Sequence, residues 1–244
     1  GIPTIGALHA AEMPSYMYHV HANYPSEAIP KIDYFFVWSK WWIKELAKSN
    51  IYNNLLLSGS MVSQLEYKKT NKLRQIGNNH NYSILFIVEN LLPEKDLKNK
   101  YSYKAPNYLK VTFKARFRDH EYFKSYVKPY LTLIGKGKVL FEPIEEIYPI
   151  PDFVIGSHST AIIDMAAKGS IPLFIKSEFW GDYFELSKLE SFLIFDDLES
   201  VIGMISTLNR NKLINLQKAR INLLERLYPD NQDLDPILKK LIES

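Results

Sequence analysis

The stretch PDFVIGSHSTAIIDMAAKGSIPLFI, residues 151–175, decides how the rest of the chain is read. DFVIG is a short apolar run that stops at a small-residue turn, SHST. AIIDMAAKG follows with helical spacing of Ile162, Ile163, Met165 and Ala166 and a stop at Gly169, and IPLFI is a second apolar run. Strand, polar turn, helix, glycine and strand make a βαβ unit. The turn sits at a helix N-terminus, where backbone N–H groups lack intrahelical partners and the helix dipole adds positive charge. The expectation is an open anion site whose natural guest is a phosphate.

Outward from this unit, β and α patterns alternate. IPTIGALH reads as a short strand ending in His9, IDYFFVWS (32–39) as a buried strand, WWIKELAKS (41–49) as a helix and LLLSGSM (55–61) as a strand. The residues from Ala10 to Pro30 read as a long loop, and KKTNKLRQIGNNHN (68–81) as a polar linker. A fuller series begins at YSILFIVEN (82–90). Strands at 108–116, 138–143 and 152–156 alternate with helices, and the tail from residue 211 is helical. Such alternation predicts an α/β fold: a Rossmann-like parallel sheet with helices on both faces, plus a partial second α/β domain. The expected division is a remnant domain over 1–67, a linker over 68–81 and a nucleotide-binding domain with helical tail over 82–244.

Composition narrows the chemistry. The 244 residues contain no cysteine, which removes disulfides and thiolate catalysis. A net charge of +3 permits a basic patch for an anionic lipid or nucleotide, with peripheral membrane association, and does not argue for nucleic acid. No segment approaches the ~18 uninterrupted apolar residues of a membrane span. The beginning, GIPTIGAL, has no basic n-region and reads as a strand entered inside a larger protein. His19 and His21 lack an evident third ligand, so no metal is expected.

In open parallel sheets ligands bind beyond the carboxyl ends of the strands. That rule gathers Arg116, Arg118 and His120 after one strand and Glu142 after the next. Ser157, His158, Ser159 and Thr160 follow DFVIG, with Asp164 one helical turn beyond Thr160. Arginines beside a hydroxyl-rich helix start suit a nucleotide phosphate. Ser159 or Thr160 alone also makes an ordinary N-cap.

In order along the chain, LHA (8–10), IDYFFVWSKWWIKEL with LLLSGS (32–60), FKARFRDHE (113–121) and GSHSTAIIDMAAKGSIPLFI resemble landmarks of GT-B-type transferases. These enzymes build bacterial capsule, lipopolysaccharide and teichoic acid. The resemblance implies a cytoplasmic glycosyltransferase, or a polyol-phosphate transferase like the CDP-glycerol enzymes, at the inner face of the membrane. It implies a nucleotide-activated donor, a saccharide or lipid-linked acceptor and no separate cofactor. It further implies nucleotide contacts from His120, Ser159, Thr160 and Asp164, an arginine clamp, and His9 as general base. Ala10 rather than Gly follows His9, and Glu121 rather than Pro follows His120. Two other readings share the scaffold: a non-hydrolysing sugar-nucleotide epimerase, and a non-catalytic nucleotide-binding or assembly module.

Overall fold

The computed structural model describes residues 4–7, 32–47, 52–59, 81–89, 92–115, 120–182, 184–227 and 239. Two compact units emerge: Gly1–Lys68 with Leu223–Ser244, and Lys69–Asn222. His9, Arg116 and Arg118, together with the loop expected at 10–30 and all but Asn81 of the linker expected at 68–81, lie outside the described residues.

In the first unit, β1 (Ile5–Ala7), β2 (Ile32–Val37) and β3 (Tyr52–Leu57) form a parallel sheet in that order. The carboxyl half of β2 is buried, and α1 (Lys40–Leu46) packs Trp41, Trp42 and Leu46 inward. Trp42 meets Trp38 and Trp41 edge-on at 5.6 and 4.7 Å. β3 starts three residues before the apolar run LLL that predicts it. Tyr52 pairs with Ile32 and its ring lies 4.4 Å from that of Phe35. Asn53 and Asn54, which precede that run, donate side-chain hydrogen bonds to the Asp33 carboxylate and carbonyl (3.2 and 2.9 Å). Tertiary partners here outweigh a poor strand propensity.

The second unit is a six-stranded parallel sheet: β4 (Ser83–Ile87), β5 (Lys110–Lys114), β6 (Lys138–Leu140), β7 (Phe153–Gly156), β8 (Ile171–Ile175) and β9 (Ile194–Phe195). Its spatial order is β6-β5-β4-β7-β8-β9. Counted from β4, that is the Rossmann order 3-2-1-4-5-6, with its topological switch point between β4 and β7. All of β7 and β8 is buried, as expected of central parallel strands. The flanking helices are α2 (Glu94–Tyr101), α3 (His120–Tyr122), α4 (Lys128–Ile134), α5 (Thr160–Lys168), α6 (Leu186–Leu189), α7 (Leu198–Ser206) and α8 (Arg210–Leu227). A π-helical turn, Phe123–Val127, joins α3 to α4. The last residues of α8, from Leu223, group with the first unit, whereas the tail was expected to stay with the second. No helix among the described residues is long and apolar enough to cross a membrane.

Two polar clamps hold β4 against β7. At the amino ends, Asp152 accepts from the Ser83 N–H and hydroxyl (both 2.8 Å), and its own N–H donates to Ser83 Oγ at 3.0 Å. The second clamp, at the carboxyl ends, lies in the candidate site. α5 is itself finished firmly. Gly169 takes a left-handed conformation (φ 118°) open to glycine, and the buried Arg220 donates to the Ala166 carbonyl at 2.7 Å.

Candidate nucleotide site at the switch point

The turn Ser157–Thr160 joins β7 to α5 at the carboxyl edge of the sheet, beside the end of β4. Ser159 is the N-cap of α5, its Oγ accepting from the Ala161 N–H at 3.3 Å. Ser157 and His158 are buried, while Ser159, Thr160 and Asp164 are half-buried. Helical spacing puts Asp164 one turn after Thr160 on the same face.

The sequence reading left the N–H groups of this turn open to a guest anion. The structure corrects that. Glu89, two residues past β4, reaches across the switch point and fills the place. Its Oε2 accepts from the Ser157 N–H at 2.9 Å, and its Oε1 from the N–H groups of His158 and Ser159 at 2.8 and 2.7 Å. The Glu89 side chain is only 1% exposed. A carboxylate at a helix start satisfies orphan donors and complements the dipole, the role expected of a phosphate. The surroundings are dry. Burial pushes the phenols of Tyr101 and Tyr130 well above their ordinary range, with Glu89 adding to both shifts. The Glu89 N–H points to Tyr130 Oη at 3.4 Å.

Gly156 makes this approach possible. A Cβ there would lie 2.7 Å from Ile162 Cδ1 and 3.3 Å from Glu89 Oε1. Gly156→Ala is expected to lower stability by about 1–3 kcal/mol through overpacking, read as a fall of several degrees in Tm. An unchanged Tm would show that Ile162 yields at no cost.

His158 lies between this carboxylate and a second device. Its Nδ1 is sealed from solvent, 3.7 Å from Glu89 Oε2, and no hydrogen-bond partner reaches it among the described residues. Trp180 flanks the imidazole, with ring centroids 5.4 Å apart and planes at 46°. The loop carrying Trp180 is tied down by buried Asp96, which accepts from the Ser177 hydroxyl and from the Phe179 N–H. Ser177 Oγ in turn accepts from the N–H groups of Phe179 and Trp180 at 3.1 and 2.9 Å. Phe179 stands out from this anchored loop, 66% exposed.

The other expected site residues fall elsewhere. Glu142 is exposed and lines a separate groove with Lys110, Lys138 and Tyr148, which none of Ser157–Thr160 enters. His120 opens α3, and its side chain is outside the described residues. No group of three His, Asp or Glu among the described residues is placed to hold a metal ion. Sequence reasoning missed Glu89, Gly156, Asp96 and Trp180. Glu89 left one usable signal, an acidic residue directly after the apolar run SILFIV, but its partner is 68–70 residues away.

Similarity to solved structures follows from this architecture. Anabaena Alr3699/HepE, solved in complex with UDP and glucose, superposes with a TM-score of 0.55 at 13% identity, covering 99% of this chain and 71% of that one. The fold is GT-B-like. S. aureus TarM, solved with UDP, alpha-GlcNAc-glycerol and fondaparinux, aligns at 12% identity and a TM-score of 0.49. That alignment covers 99% of this chain and 50% of TarM. The wall teichoic acid polymerase TagF, soaked with CDPG, aligns at 10% identity and 0.48, covering 87% and 57%. No protein-family model matches the chain, and no curated protein matches it by sequence.

Proposed function

We propose that the second unit binds the nucleotide of an activated donor and that the protein is a glycosyltransferase, or a polyol-phosphate transferase, of bacterial surface polysaccharide assembly. The observation that carries this reading is a hydroxyl-bearing turn at the switch point of a 3-2-1-4-5-6 sheet in a GT-B-like fold. HepE, solved with UDP and glucose, lends the donor class. In this reading the donor is a CMP-, CDP- or UDP-linked group, and the acceptor is a saccharide or a lipid-linked saccharide met at the cytoplasmic face of the membrane. The first unit belongs to the acceptor-side domain.

Because Glu89 holds the N–H groups of residues 157–159, the donor phosphates are assigned further along, to Thr160, to the cationic Arg116 and Arg118 and to His120. Asp164 and the side chains of the turn then meet hydroxyl groups. His9 takes the proton of the acceptor hydroxyl. Departure of the nucleoside phosphate is eased by the cationic groups.

A panel of CMP, CDP and UDP tests the reading directly. A nucleotide at 100 times its Kd stabilises the native state by about 2.7 kcal/mol, roughly 5–10 °C in Tm for a chain this size. No shift with any of the three removes the site. Ser159→Ala combined with Thr160→Val should weaken the bound nucleotide roughly tenfold to a hundredfold, with the cooperative unfolding transition retained. Unchanged affinity reduces the turn to a helix cap.

A further inference from the structure

We propose that Glu89 is a positioning residue that fixes His158 in the Nδ1–H tautomer. The imidazole then presents the lone pair of Nε2 to a hydroxyl group of the ligand. Three of the Glu89 carboxylate's lone-pair directions are taken by the N–H groups of Ser157, His158 and Ser159. The remaining capacity lies on Oε2, the oxygen 3.7 Å from His158 Nδ1.

That nitrogen is sealed and has no other partner among the described residues. A lone pair on Nδ1 would face carboxylate lone pairs in a dry, low-dielectric pocket, which is repulsive. A proton on Nδ1 turns the same juxtaposition into attraction and, after a small closure of the gap, a hydrogen bond. Hydrogen bonds of this kind are often long before a ligand is bound. Trp180, held by the Asp96-anchored loop, closes one flank of the ring. The ligand itself cannot take up Glu89, whose side chain is 1% exposed. With Nδ1 protonated, Nε2 can only accept, so the group recognised beside His158 is a hydroxyl donor, that of the nucleotide's ribose, rather than a phosphate oxygen.

The tautomer stands apart from the nucleotide reading, whereas the hydroxyl ligand rests on it. The test is 15N NMR of histidine-labelled protein, with the His158 signals assigned from their loss in His158→Gln. In ligand-free wild type, His158 should show a protonated Nδ1 and an unprotonated Nε2. In Glu89→Gln, the amide NH2 turned toward Nδ1 calls for an acceptor, and the signature should switch to the Nε2–H form. An Nε2–H tautomer or an imidazolium in wild type at neutral pH overturns the proposal. If Glu89→Gln does not fold, the wild-type spectrum alone decides the tautomer.

For the ligand half, UDP should shift the Nε2 resonance toward that of a hydrogen-bonded acceptor, and its 2′,3′-dideoxy analogue should not. Equal shifts overturn the hydroxyl assignment while leaving the tautomer standing. A Tm that no nucleotide moves, with the tautomer as expected, removes the nucleotide reading and with it the hydroxyl, but leaves Glu89 as the orienter of His158.

Discussion

Glu89→Ala is expected to lower the unfolding free energy by about 3–9 kcal/mol, from ~1–3 kcal/mol for each buried donor left without an acceptor. Three N–H groups, of Ser157, His158 and Ser159, lose their partner at once. Ser159 is half-buried, so water recovers part of its bond, and this favours the lower half of the range. The change also removes the contact that joins the end of β4 to the start of α5. Urea unfolding measures the loss, with Cm falling and m retained. Glu89→Gln should fall between wild type and Ala, because one amide oxygen still accepts two of the three bonds. A loss below about 1 kcal/mol for Glu89→Ala would show that the turn holds its shape without the carboxylate.

The second large effect concerns turnover. If His9 is the general base, His9→Ala should lower kcat by roughly 10²–10⁴-fold, the usual contribution of a positioned proton acceptor. Nucleotide affinity, read from the Tm shift with the best member of the panel, should stay within about twofold, since the donor nucleotide is assigned to the second unit. Retained turnover removes His9 from the mechanism. A parallel loss of nucleotide affinity would instead place His9 among the donor contacts. The readout separates His9 from His158, whose substitution should change both nucleotide affinity and the histidine tautomer signal.

Much of the fold was legible in the residues. FVIG and IPLFI are continuous apolar runs because both faces of a central parallel strand are covered, and all nine residues are buried. TAIIDMAAK carries its own start in Ser159 and its own stop in Gly169, so α5 was read almost to its ends. Misjudged boundaries occur where a distant partner supplies what local propensity lacks. Asn53 and Asn54 belong to β3 because Asp33 accepts their amides. β9 is only two residues long, and Phe192 and Leu193 just before it enter a 3-10 turn instead.

The site divides in the same way. Its proposed place, the turn after DFVIG, rests on the pattern of strand, hydroxyls and helix together with the strand-end rule. Its electrostatics did not. Sequence offered unpaired N–H groups at a helix start, and four of those in any helix lack local partners. Whether water, a ligand or a side chain satisfies them depends on which strand lies beside β7. The strand order sets β4 there, bringing in Glu89 from 68–70 residues upstream, and the missing Cβ of Gly156 leaves room for its carboxylate. The chain by itself determined a parallel α/β fold and the strand, turn and helix that carry the candidate site. Only the tertiary structure decided that an internal carboxylate already occupies the anion position, because a hydrogen bond between separate strands is set by sheet order rather than by any local pattern of residues.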